Sequence, residues 1–183
     1  MKDLQWSKLK STLESFLCKK LQGRIQIHAT VYRKFHDQPG RVWITFDKQE
    51  MLSASDTAYA TKHEMFYQQL LKKEDLLSIP FNKDWNEMFH SVERKELLCA
   101  SDVAEEIMKV NNIFESYHLY EPFMNYSSLS IEEAINSNNV ITKAFSMFDR
   151  RLGKRRLRNL RFSHDTHPLV TKFYKIRCDV EGL

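Results

Sequence analysis

The chain has 183 residues, enough for one large domain or two small ones that share a core. Hydrophobic residues make up 42 % and aromatic residues 12 %, which excludes a disordered chain, and four Gly with four Pro argue against a loop-rich or all-β design. The formal charge is +4, yet seven basic side chains and no acidic one fall between Arg150 and Arg161; the other 21 Lys and Arg face 24 acids, so the basicity is local.

The spacing of Trp6, Leu9, Leu13, Phe16, Leu17 and Leu21 predicts an amphipathic helix over residues 4–22, stopped at Gly23. The period then falls from 3.6 to 2. Ile25, Ile27, Ala29 and Val31 alternate with Gln26, His28, Thr30 and Tyr32, and Val42, Ile44 and Phe46 alternate with Trp43 and Thr45. FHDQPG between the two runs reads as a turn, and EMLSA as a short third strand of an antiparallel meander. Asp56 is placed to cap a helix over 57–73 whose buried stripe is Tyr59, His63, Phe66, Tyr67, Leu70 and Leu71.

LLSIPFNKD, around Pro80, marks a boundary, and everything after it reads helical. Trp85, Met88 and Phe89 fall on a short helix. Residues 92–110 form a longer one, with Val92, Leu97, Leu98, Val103 and Ile107 as core candidates. YHLYEPFMNY is aromatic-rich and interrupted by Pro122, and Ser130 with Glu133 makes a capping box for a helix to about Asn136. Ile141, Phe145, Phe148 and Leu152 place a helix from about Asn139. Leu157 and Leu160 fall out of phase with that face after Gly153, which predicts a bend or two helices. The last segment carries both periods; Pro168 at a first helical position and Gly182 as a stop decide for helix. VITKAFSMFDR (140–150) aligns without gaps to LVTKFYKIRCD (169–179), a pair of similar helices joined by the basic stretch. The expected fold is α+β: an α-β-β-β-α module with a three-stranded antiparallel sheet over 1–76, and an all-helical region over 83–183 packed on it as one unit.

FDRRLGKRRL followed by HPLVTKFYKIRCDVEGL, with the opening WSKLK and the strand RVWI, resembles a family of small uncharacterised bacterial proteins over about a third of the chain. The resemblance implies no activity, cofactor or catalytic residue.

Function is read mainly from Arg150, Arg151, Lys154, Arg155, Arg156, Arg158 and Arg161. Guanidinium forks match phosphate oxygens, so nucleic acid is the first expected partner. An acidic protein, bound by an adaptor or immunity-type protein, is the alternative. Against both stands pairing with Glu105, Glu106, Glu132 or Glu133 inside the molecule, where surface pairs are worth only about 0–1 kcal/mol each. A second candidate surface is the sheet face bearing His28, Thr30, Tyr32, Trp43 and Thr45, flanked by Arg24, Arg33, Lys34 and Arg41, which could stack bases. The element order is similar to that of double-stranded-RNA-binding domains, but their Lys-rich motif is missing at the second helix start. The stronger reading of this face is burial: the helical half packs on it, with Trp43 and Tyr32 in the core.

His164, Asp165 and His167 lack further ligands at metal-site spacing, so Asp165 and Thr166 are expected to cap the last helix, and neither a metal nor another cofactor is expected. No Gly-rich phosphate loop, nucleophile elbow or paired-Cys motif points to catalysis, and an enzyme ranks third. No apolar run reaches the roughly 18 residues of a membrane span, and MKDLQWSKLKS has no leader-peptide core. With Cys18, Cys99 and Cys178 far apart, the expectation is a cytoplasmic protein with reduced thiols and no membrane partner.

Overall fold

Alternating apolar residues in three consecutive runs commit this part of the chain to a sheet with one buried face. In a computed structural model, which describes residues 6–31 and 39–183, β1 (Ile25–Val31), β2 (Pro39–Phe46) and β3 (Gln49–Ser55) form an antiparallel sheet in the order β1-β2-β3. Register aligns Ile27 with Ile44 and Ile44 with Leu52, and aligns Ala29 with Val42 and Val42 with Ala54. Ile25, Ile27, Val42, Ile44, Leu52 and Ala54 are buried in one core with Leu119, Phe123, Phe145 and Phe173 from the helices. The FHDQPG turn expected before β2 lies largely outside the described residues, as do Tyr32, Arg33 and Lys34. The sheet is preceded by α1 (Trp6–Phe16), which lies beside β1; Glu14 Oε1 accepts a hydrogen bond from the Ile27 amide at 3.3 Å.

Periodicity carries the first helix to residue 22, yet it stops at Phe16. Beyond it the backbone pairs with a distant segment. The Cys18 amide donates to the Phe148 carbonyl at 2.9 Å and the Arg150 amide to the Phe16 carbonyl at 2.7 Å, so Leu17 and Asp149 form an antiparallel bridge. Leu17 and Leu21 remain fully buried, because the apolar pattern holds while the backbone changes partner. Gly23, at φ +77°, serves the turn into β1 and not a helix end.

The chain divides into two compact units, residues up to Asp56 with Phe114–Leu183, and Thr57–Ile113; the expected boundary around Pro80 falls inside the second. The second unit holds most of α2 (Asp56–Lys73), with α3 (Trp85–Phe89) and α4 (Val92–Val110). Its small core joins Leu70, Ala100 and Ala104, flanked by Phe66, Tyr67, Leu71 and Ile107. His63 and Ser101 are in hydrogen-bond contact at 3.3 Å. Val92, Leu98 and Val103, expected in the core, are exposed instead.

In the first unit α5 (Ser116–Tyr126) packs on the sheet's core face against β2 and β3, and α6 (Ile131–Ile135), α7 (Val140–Ser146), α8 (Lys154–Asn159) and α9 (Pro168–Glu181) extend the same core. Pro122 does not interrupt α5; it sits buried within it. Asp56, expected to cap α2, bonds instead to the start of α5: its Oδ1 accepts from the Ser116 amide at 2.8 Å, beside the reciprocal Glu115–His118 box in which Glu115 is the N-cap residue. Ser130 and Glu133 form the expected reciprocal box at the start of α6. The helix opened by Asn139 ends at Ser146, so the two-helix outcome holds, with α7 and α8 separated by a turn over 147–153. Pro168 opens α9, and Gly182, at φ +73°, closes it. His167, not Asp165 or Thr166, is the N-cap residue, with Nδ1 accepting from the Leu169 amide at 3.2 Å. Phe148 stacks on Phe173 of α9 with ring centroids 4.5 Å apart.

Candidate functional site

The turn over 147–153 is made of alternating demands. Phe148 and Leu152 are fully buried, and between them Asp149 is a carboxylate with no exposed surface. A charge in that position survives only if it is fully partnered. Tyr126 donates its hydroxyl to Asp149 Oδ2 at 2.8 Å, Arg151 Nη2 donates to the same oxygen at 2.7 Å, and the Arg151 amide donates to Oδ1 at 2.8 Å. The Arg151 guanidinium also donates to the Leu129 carbonyl at 2.7 Å and lies 4.4 Å above the Phe16 ring. Burial, reinforced by the Asp149 carboxylate, pushes the Tyr126 phenol up, and Asp149 likewise raises the Arg151 guanidinium.

From the other side, α9 sends in Arg177, itself buried. Its Nη1 donates to the Phe148 carbonyl at 3.0 Å, and its Nη2 pairs with Glu181 Oε1 at 3.3 Å. Glu181 also holds Lys154 Nζ at 2.9 Å and lies 4.0 Å from Lys20 Nζ. Burial works to raise the Glu181 carboxyl, but the Lys154 hydrogen bond and the charges of Arg177 and Lys154 outweigh it and hold the group below the usual glutamate range. Arg156 makes a two-pronged pair with Glu132 of α6, which lowers the Glu132 carboxyl.

The seven basic residues therefore divide. Arg151, Lys154 and Arg156 are tied to Asp149, Glu181 and Glu132, and Arg161 turns back onto the Arg158 and Leu160 carbonyls. Arg150, Arg155 and Arg158 are exposed, and among the described residues their side chains meet no acid. Arg155 and Arg158, three apart on α8, are neighbours on its outer side. Of the four glutamates that could partner the stretch internally, Glu132 takes this role, whereas Glu133 caps α6 and Glu106 pairs with Lys109.

The second candidate surface is corrected. The helices of the first unit share their core with the opposite face of the sheet, and Trp43 is half-buried outside that core. Its ring is already engaged, stacked on His28 with centroids 5.1 Å apart and covered by the Arg41 guanidinium at 4.8 Å, while Arg41 is held by Glu50 and Ser53. Burial, with Lys10 nearby, lowers the His28 imidazole. His164 and Asp165 are exposed and His167 serves as a cap; among the described residues no group of three His, Cys, Asp or Glu could hold a metal ion. No helix among them is long and apolar enough to cross a membrane.

Asp149, Tyr126, Arg177 and Glu181 are not singled out by the sequence. The one signal for them is an acid lodged between two buried aromatic and aliphatic positions, directly followed by arginines.

Fold and site together define an α+β protein in which helices cover one face of a three-stranded antiparallel sheet and a buried acid–arginine–tyrosine cluster locks a basic turn to them. The chain belongs to the SF0329 protein family, whose model matches residues 5–178. Comparison with curated proteins and with solved structures gave no match.

Proposed function

We propose that this is a non-enzymatic binding protein that grips nucleic-acid phosphates through Arg150, Arg155 and Arg158. The observation that carries the reading is the division of the basic stretch. Four of its cations are consumed in holding the turn and α8 in place, and three guanidiniums are left in water without acids to neutralise them. The tied residues fix the backbone from which the free ones project, so the contact is pre-organised. Arginine suits this use because its fork meets two phosphate oxygens at once.

The test is the triple variant Arg150→Gln, Arg155→Gln, Arg158→Gln in the full chain, titrated with mixed-sequence duplex DNA and RNA at several salt concentrations. The intact protein is expected to bind with an affinity that falls as salt rises. The variant should bind more weakly, its salt slope flattened by about 0.9 for each duplex phosphate that is no longer neutralised. Absence of binding at about 50 mM salt, or unchanged affinity in the variant, would refute the reading. Capture of an acidic protein that depends on the same three arginines and survives nuclease treatment would assign the surface to that partner instead.

A further inference from the structure

Independently of the basic stretch, the second unit presents an apolar face that its own core does not use. All the exposed large hydrophobic side chains among the described residues lie in Thr57–Ile113 apart from Tyr117 and Leu183. They include Phe81 at 85 % exposure and Trp85 at 72 %, values unusual for aromatic residues. On α4, the side facing the small core is marked by Ala100 and Ala104. Roughly a third of a turn away runs a second stripe, Val92, Cys99, Val103 and Val110, all exposed. Their spacing of seven, four and seven is that of a helix–helix seam. A trough of about 570 Å³ lies on this stripe, lined by Cys99, Val103, Ile107 and Val110 together with the acids Asp102, Glu105 and Glu106 and the cation Lys109.

Charge selects the occupant. Glu96 and Glu106 fall within the stripe; Glu106 is paired with Lys109 at 2.7 Å, but Asp102, Glu105 and Glu106 outnumber that one cation around the trough, and the unit as a whole carries ten acidic side chains against seven Lys and Arg. A second copy of the chain fits poorly. An antiparallel alignment that sets Val92 against Val110 of the other copy, and Cys99 against its Val103, also sets Glu96 against its Glu106. A parallel, in-register pairing sets each glutamate against itself. Like charges across a seam oppose pairing, whereas Lys or Arg at those positions would favour it.

We infer that the α4 face of the second unit is a docking site for an amphipathic, basic helix of a partner protein. The partner's apolar residues cover Val92, Cys99, Val103 and Val110, and its Lys or Arg side chains meet Glu96 and Glu106. This is the helix-in-groove mode of recognition, with aliphatic anchors supplying affinity and the acidic rim supplying orientation and choice of partner.

The probe is a synthetic helix as long as α4, with Leu at the same seven-four-seven spacing and Lys flanking it, titrated against the full chain. Saturable binding is expected. Val103→Asp with Val110→Asp should weaken it by roughly tenfold or more, because the new carboxylates would be buried against leucine. Glu96→Lys with Glu106→Lys should weaken it through repulsion. Both pairs lie on exposed positions, so far-ultraviolet circular dichroism should be unchanged. No saturable binding, equal binding of a Leu/Glu helix, or binding insensitive to both variant pairs would overturn the inference. A concentration-dependent dimer of the unmodified chain that Val103→Asp abolishes would assign the face to a second copy instead.

Discussion

Arg151 and Arg155 stand four residues apart in one basic run and do opposite things. Arg151 is the counter-charge of a carboxylate that has no contact with water, whereas Arg155 projects into solvent. Replacing Arg151 by Gln leaves Asp149 with the Tyr126 hydroxyl and main-chain donors but no cation, and breaking a buried pair in this way costs about 3 kcal/mol or more. Arg155→Gln should stay within about 0.5 kcal/mol of the parent. Denaturant midpoints of the two variants check this, and equal stability would mean that Asp149 does not depend on the guanidinium. The cluster of cations is legible in the sequence; its division is not. Which arginine is free depends on Phe16, Tyr126, Glu132 and Glu181, residues brought close only by the fold, and no periodicity within 148–162 encodes them.

Elements are legible where local chemistry and burial agree. The three strands carry period-2 alternation and one apolar face, and their pairing follows the apolar register. Helix α9, ambiguous by period, is decided by Pro168 and Gly182, whose backbone preferences do not depend on neighbours. The failures share a cause: a distant segment supplies what the local sequence lacks or takes what it offers. Helix α1 ends early because residues 16–18 pair with 148–150. Val92, Leu98 and Val103 of α4 read as core since spacing alone cannot say whether a face has found its partner. Adjacency assigns Asp56 to α2, but it serves α5, and this has a measurable consequence. Asp56→Ala should destabilise the protein by about 1 kcal/mol, as losses of N-terminal caps do. Hydrogen exchange should then quicken at the Ser116 amide and leave the first turn of α2 unaffected. Faster exchange confined to residues 57–60 would return Asp56 to the cap of its own helix.

On the scale of the whole chain, the two units differ in how they are held. The first surrounds one continuous core in which Phe123, Tyr126, Phe145, Phe148 and Phe173 are almost wholly buried, and a buried ionic cluster adds directional bonds at its edge. The second rests on Leu70, Ala100 and Ala104, two of them with a single methyl to contribute. Apolar burial stabilises by about 25 cal/mol per Å², so a core built on alanines holds its helices weakly. Stability should therefore be uneven along the chain, with the second unit opening on its own before global unfolding. Native-state hydrogen exchange is expected to give the amides of α4 a lower opening free energy than those of β2 and α5. Equal values in all three would show that the molecule opens as one cooperative body. The low value has a functional meaning. A partner that binds the closed form of α4 but not the open one raises its protection by RT ln(1 + [L]/Kd). Adding the Leu/Lys helix should then slow exchange in α4 and leave β2 unchanged. A marginal helix with an uncovered apolar stripe is completed by what docks on it, and its own exchange reports the docking.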